Sequence, residues 1–166
     1  NGVTGMDIYS IRDAAVSSMG GIVLADIDGD GIPEIVTLTR TYQVVAFRNT
    51  GEKIWISPVV VNASIGGNNP WAAPSGADID MDGKAEIVAG HSVLNSDGSI
   101  RWKTTDGYVG GTRQNNGVPV VAKLDDESDS VVIFGGAVYS ASGNLIWRTA
   151  LDGFVAVARF GNETTA

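Results

Sequence analysis

The residues best placed to do chemistry in this 166-residue chain are carboxylates at alternate positions. Asp26, Asp28 and Asp30 precede Gly31 and Glu34; Asp78, Asp80 and Asp82 precede Gly83 and Glu86. Acids spaced by two in a tight loop converge on one point, and glycine permits the sharp bend after the third. The seventh residue, Ile32 or Lys84, then offers a backbone carbonyl and the ninth a fourth carboxylate. An all-oxygen set suits a hard cation of high coordination number. Zinc would draw on His or Cys, and magnesium keeps more of its water. The expected cofactor is therefore Ca²⁺ at two sites, held by Asp26, Asp28, Asp30, Ile32 and Glu34 and by Asp78, Asp80, Asp82, Lys84 and Glu86.

An EF-hand loop begins in the same way but needs a bidentate acid at position twelve, where this chain has Thr37 and Ala89. The flanking residues, Ile-Val-Leu-Ala before the first loop and Glu-Ile-Val after both, are strand-like rather than helical. Asp-Gly-rich loops also serve as plain turns, a reading that two copies with all four acids disfavour. The charge agrees with ion binding. The chain has 19 acidic and 11 basic residues, net −8, and the eight loop carboxylates account for the whole excess. Such a balance argues against nucleic acid as a partner.

These loops sit in a repeating frame. The step from Asp26 to Asp78 is 52 residues, and from Asp78 to Lys123, which opens a degraded third copy, 45. A second element follows each copy: Asn49–Trp55, Ser96–Trp102 and Ala141–Trp147, each with a glycine third and a tryptophan last. Apolar residues come in short β-branched runs bounded by Gly, Asn, Asp and Ser, at Gly21–Ala25, Glu34–Leu38, Gln43–Phe47 and Lys53–Ile56. Each unit reads as four strands, the acidic loop joining the first two and a glycine-turned hairpin the last two. A four-stranded unit at this period predicts an all-β fold of β-propeller blades. The expected blades span about 20–56, 72–103 and 117–148, within one segment 1–166 that has partial blades at both ends. Met6–Ile11 reads as an outer strand of a preceding blade, and Val155–Asn162 as the start of a following one. The tryptophans are expected between blades. Ser10–Met19 is the only stretch resembling a helix, and it lacks caps.

The two complete loops and the blade rhythm, over about residues 20–162, resemble the FG-GAP/VCBS repeat family of calcium-binding propeller blades found in integrin-α-type and secreted microbial proteins. The resemblance implies structural calcium in the loop between a blade's first two strands. The family often has Asp at the ninth position, where this chain has Glu34 and Glu86, and Phe134-Gly135-Gly136-Ala137 only partly echoes its other signatures. In the third copy Lys123 replaces the first acid and Ser128 the glycine, so no calcium is expected there; the lysine would stand near Asp125 and Glu127. Arg159 opens the fourth copy without an acid.

The functional expectation is a non-catalytic, calcium-stabilised module of an extracellular adhesion or ligand-recognition protein. Two alternatives stand beside it: the propeller of a secreted rhamnogalacturonan-type lyase, and a structural subunit of a cell-surface assembly. A carbohydrate or protein ligand is expected at inter-blade loops, foremost the long connection Ile56–Ala77 with Trp71. Remaining blades or another chain would complete the propeller. His91, the only histidine, reads as a turn residue, and Arg113, Gln114 and Asn115 as loop residues able to meet an acidic sugar. Ile56–Ala77 holds Pro58, Pro70, Pro74 and three asparagines, so it is no membrane span. The first residues, Asn-Gly-Val-Thr-Gly, do not have the pattern of a secretory leader, which implies a removed leader or a start inside a longer protein. Absence of cysteine excludes disulfides. The sequons at Asn62 and Asn162 fit an external location.

Overall fold

The computed structural model describes residues 2–8, 10–12, 16–17, 20–60, 73–104, 118–124, 129–149 and 155–157. Within them the β-branched runs become twelve strands in three four-stranded antiparallel sheets. The first sheet holds β1 (Ile22–Ala25), β2 (Glu34–Leu38), β3 (Gln43–Phe47) and β4 (Lys53–Val59). The second holds β5 (Ser75–Ala77), β6 (Glu86–Ala89), β7 (Ser92–Leu94) and β8 (Ile100–Lys103). The third holds β9 (Val120–Ala122), β10 (Val131–Phe134), β11 (Ala137–Ser140) and β12 (Leu145–Arg148). In every sheet the strands lie in chain order, so each unit is a meander.

The sheets stack face to face. The middle sheet divides its side chains by the strand period of two. Ile87, Ala89 and Leu94 join Val36, Leu38, Val44 and Ala46 of the first sheet in one core. Val88 and Val93 join Val132, Phe134, Ala137 and Tyr139 of the third in another. A sheet buried on both faces needs apolar residues at consecutive positions, hence the unbroken Ile-Val-Ala run of β6. Strand β1 lies against β5, and β5 against β9, so the first strands of the units line one side of the stack.

The tryptophans fix how one sheet meets the next. Trp55, Trp102 and Trp147 occupy the same register, opposite Ala46, Val93 and Val138, and each pairing is followed by a register shift. The Trp55 indole N–H donates to the carbonyl of Ser96 at 3.0 Å, in the β7–β8 hairpin of the next unit. The Trp102 N–H donates to Ala141 at 2.9 Å, in the β11–β12 hairpin. The ring stands on the hairpin glycine: a Cβ on Gly98 would lie 2.6 Å from Trp55, and one on Gly143 2.7 Å from Trp102. Both glycines also adopt positive φ, 83° and 86°, as Gly51 does at 89° in the first hairpin. Trp102 further meets Phe134 and Tyr139 edge-on and tilted, with centroids 6.2 and 5.9 Å away. Trp147 is 50% exposed, so the expected packing between units holds for the first two tryptophans only.

Two expectations change, and the uncapped stretch Ser10–Met19 is extended at its described contacts. Among the described residues, Met6–Ile8, Ser10 and Ile11 form no strand, and Met6 and Ile8 stand exposed. In Ser10–Met19, Val16 bridges Thr39 and the Ser17 N–H donates to Leu38, an extended contact rather than a helical one. The fourth strand runs on through Pro58 to Val59, since an edge position asks no N–H of proline. This shortens the connection read as Ile56–Ala77, of which residues 61–72, with Trp71, lie outside the described residues. Among the described residues, no helix is long and apolar enough to cross a membrane.

Candidate metal centre

Each acidic loop starts and ends on a paired position, Ala25 opposite Glu34 and Ala77 opposite Glu86, so β1–β2 and β5–β6 hold its two ends together. The loop then wraps around its first aspartate. Gly29 and Gly31 N–H groups donate to the two carboxylate oxygens of Asp26 at 2.7 and 2.8 Å. In the second loop Asp82 and Gly83 do the same for Asp78 at 3.1 and 3.0 Å. Asp30 accepts the Ile32 N–H at 2.7 Å and Asp82 that of Lys84 at 2.9 Å. The intervening isoleucines, Ile27 and Ile79, are plugs only 3% exposed that pin the loop to the core. Position four needs a left-handed backbone: Gly29 supplies it at φ 81°, and Met81 is forced to 62°.

The ninth residues lie deepest. Glu34 and Glu86 are each 2% exposed, and each accepts one backbone N–H, from Ile27 at 3.1 Å and Ile79 at 2.9 Å. Burial pushes both carboxyls above the usual range, opposed by that hydrogen bond and reinforced by the neighbouring aspartates. The structure brings oxygens of Asp26, Asp28 and Glu34 within 4.8 Å of one another, and likewise those of Asp78, Asp80 and Glu86. Asp30 and Asp82 lie outside these trios and serve the loop backbone, while the carbonyls of Ile32 and Lys84 remain expectations from spacing. The two loops are neighbours: the Ala85 N–H, between Lys84 and Glu86, donates to the Asp26 carbonyl at 2.8 Å.

Two arginines, which loop spacing gave no means of finding, complete the electrostatics. Arg48, just past β3, donates to Asp28 at 3.1 Å and lies 3.8 Å from Glu52. Arg101, within β8, donates to Asp80 at 2.7 Å and stands 3.5 Å from Glu86. Its hydrogen bond holds Asp80 below the usual carboxylate range. They reach equivalent aspartates from non-equivalent strands, a relation only pairing between strands reveals.

The donor chemistry fits a hard divalent ion. Glu34 is a buried carboxylate beside two others, with no described cation in ion-pair reach, and an ion placed among the trio supplies the missing charge. In the third unit Lys123 is exposed, while Asp125 and Glu127 fall outside the described residues, as do Arg113, Gln114, Asn115, Arg159 and both sequons. His91 lies in the β6–β7 turn, where burial and then Lys103 hold its pKa below the usual histidine value.

The family profile of the FG-GAP-like repeat matches residues 26–89, from the first aspartate of one loop to the end of β6 beyond the other. Residues 26–89, less than half of the chain, are thus similar to that repeat. Among solved structures, the V. cholerae biofilm matrix protein Bap1 is similar at 21% identity and a TM-score of 0.56, covering 82% of this chain and 22% of that one. The exotype rhamnogalacturonan lyase YesX is similar at 21% identity and a TM-score of 0.49, covering 82% and 24%. The chain thus spans about a quarter or less of these proteins, and the likeness to Bap1 concerns the fold. No curated protein sequence matches the chain significantly.

Proposed function

We propose that the FG-GAP-like repeats form a calcium-stabilised, non-catalytic recognition or adhesion module of an extracellular protein, built as blades of a β-propeller. The observation that carries this reading is the pair of equivalent, adjacent loops, each gathering two aspartates around a buried glutamate. Asp26, Asp28 and Glu34 would hold one Ca²⁺ and Asp78, Asp80 and Glu86 the other, with Asp30, Asp82 and the carbonyls of Ile32 and Lys84 completing the shells. The ion supplies positive charge that ties a loop's two strands to the buried plug. Weak oxygen sites of this kind fill at the millimolar calcium found outside cells. A biofilm matrix protein among the solved structures of similar fold is in keeping with that setting.

Ligand contact falls to the loops between units, for a carbohydrate or a protein partner. The half-exposed Trp147, in the register where Trp55 and Trp102 cap a hairpin glycine, favours a further unit or another chain against the third sheet.

Thermal unfolding with and without calcium tests the reading. At 1 mM free calcium and a Kd of about 0.1–1 mM, each site adds roughly 0.4–1.4 kcal/mol. Two sites should raise the Tm by about 2–10 °C over the chelated protein. An unchanged Tm contradicts the calcium assignment. Release of ultraviolet-absorbing unsaturated products from pectic substrates would contradict the non-catalytic one.

A further inference from the structure

The two loops match in sequence and differ in what faces them. In the first, among the described residues, Arg48 reaches one carboxylate of the trio, that of Asp28, and is shared with the exposed Glu52. Glu34 keeps no described cation within reach. In the second, one guanidinium nitrogen of Arg101 lies 2.7 Å from Asp80 and 3.5 Å from Glu86, two of the three carboxylates of the trio. Glu86 has its other oxygen committed to the Ile79 N–H, so the oxygen facing Arg101 is the one left for an ion. Arg101 is also the better enclosed arginine, its side chain 28% exposed against 43% for Arg48.

We infer that Arg101 is a built-in counter-ion of the second loop that competes with calcium there, leaving the first loop as the tighter of two unequal sites. The inference rests on the calcium reading above and adds an order of filling to it. A divalent ion entering the second loop must displace the guanidinium from Glu86 and share Asp80 with it, against repulsion between cations a few ångströms apart. Without metal the same guanidinium neutralises the buried glutamate and holds the loop in shape. In the first loop Arg48 reaches Asp28 and Lys84 lies beside Gly29, but no described cation pairs with Glu34, so that loop gains more from the ion. The second loop then fills only as external calcium rises further.

Isothermal titration of calcium into the chelator-treated, desalted chain tests this, alongside melting in EDTA. The intact chain should show two steps whose affinities differ by about tenfold or more. Asp28→Asn should remove the tighter step and Asp80→Asn the weaker. Arg101→Gln should strengthen the weaker step by about tenfold while lowering the Tm in EDTA, whereas Arg101→Lys, which keeps the charge, should leave that step close to its original affinity. Arg48→Gln should move the tighter step less. An Arg101→Gln protein whose weaker step is unchanged or weaker still, with calcium still bound, overturns the inference alone and makes Arg101 an orienting partner of Asp80. No calcium binding by any of these proteins, each folded by its cooperative melt, overturns the calcium reading and the inference with it.

Discussion

At the residue scale, the acidic loops obey backbone rules before they obey metal chemistry. Asp26 and Asp78 are fixed by N–H groups from their own loops, and Gly29 takes a conformation that Met81 is made to share. A left-handed backbone costs a side chain of methionine's kind about 1 kcal/mol or more, and Met81 is 66% exposed, with little packing to lose. Met81→Gly should therefore stabilise the chain by about 0.5 kcal/mol, after the greater entropy of glycine in the unfolded state is deducted. Chemical denaturation in EDTA measures this directly, and a destabilised variant would show that Met81 makes contacts its exposure hides. The carboxylates were legible in the sequence because their chemistry depends on spacing along the chain. Arg48 and Arg101 were not, because they stand 20 and 21 residues from their aspartates and are brought there by antiparallel pairing. The burial of Glu34 and Glu86 was also hidden, since a ninth-position acid reads the same whether it faces water or the core.

At the scale of elements, Glu34–Leu38 and Gln43–Phe47 form strands with the bounds that β-branched runs and turn residues imply. The glycine-turned hairpins also form where Thr-Gly, Asp-Gly and Ser-Gly stand. The described residues of Met6–Ile11 form no strand, because alternation alone does not specify which neighbour a strand pairs with. The sequence showed each tryptophan and each hairpin glycine as repeats, and the structure joins them into one device, the ring of one unit resting on the glycine of the next. That device forbids a Cβ twice over, by φ and by contact. Gly143→Ala should cost about 2 kcal/mol, seen as a lower denaturation midpoint at unchanged slope. A neutral outcome would mean that the Trp102 ring is free to retreat from the hairpin. Gly2→Ala, with no atom within 4 Å of the added carbon, is the matched control.

At the scale of the molecule, the stack is held by two inter-sheet cores and by the line of first strands, and both acidic loops occupy neighbouring turns of it. The bond from Ala85 to the Asp26 carbonyl joins one loop to the next, so calcium would act on the seam between two units as well as inside each. The period of 52 and then 45 residues announced the number of units, and the meander follows from short hairpins. What covers the third sheet is not written in any local pattern, and Trp147, half exposed, is the residue whose packing it would complete. Diffraction from crystals grown in millimolar calcium, at a wavelength where calcium scatters anomalously, tests the central claim most directly. The account predicts one peak among Asp26, Asp28 and Glu34, a second among Asp78, Asp80 and Glu86, and none at the loop opened by Lys123. Bare carboxylate trios in well-ordered density at both loops would contradict it.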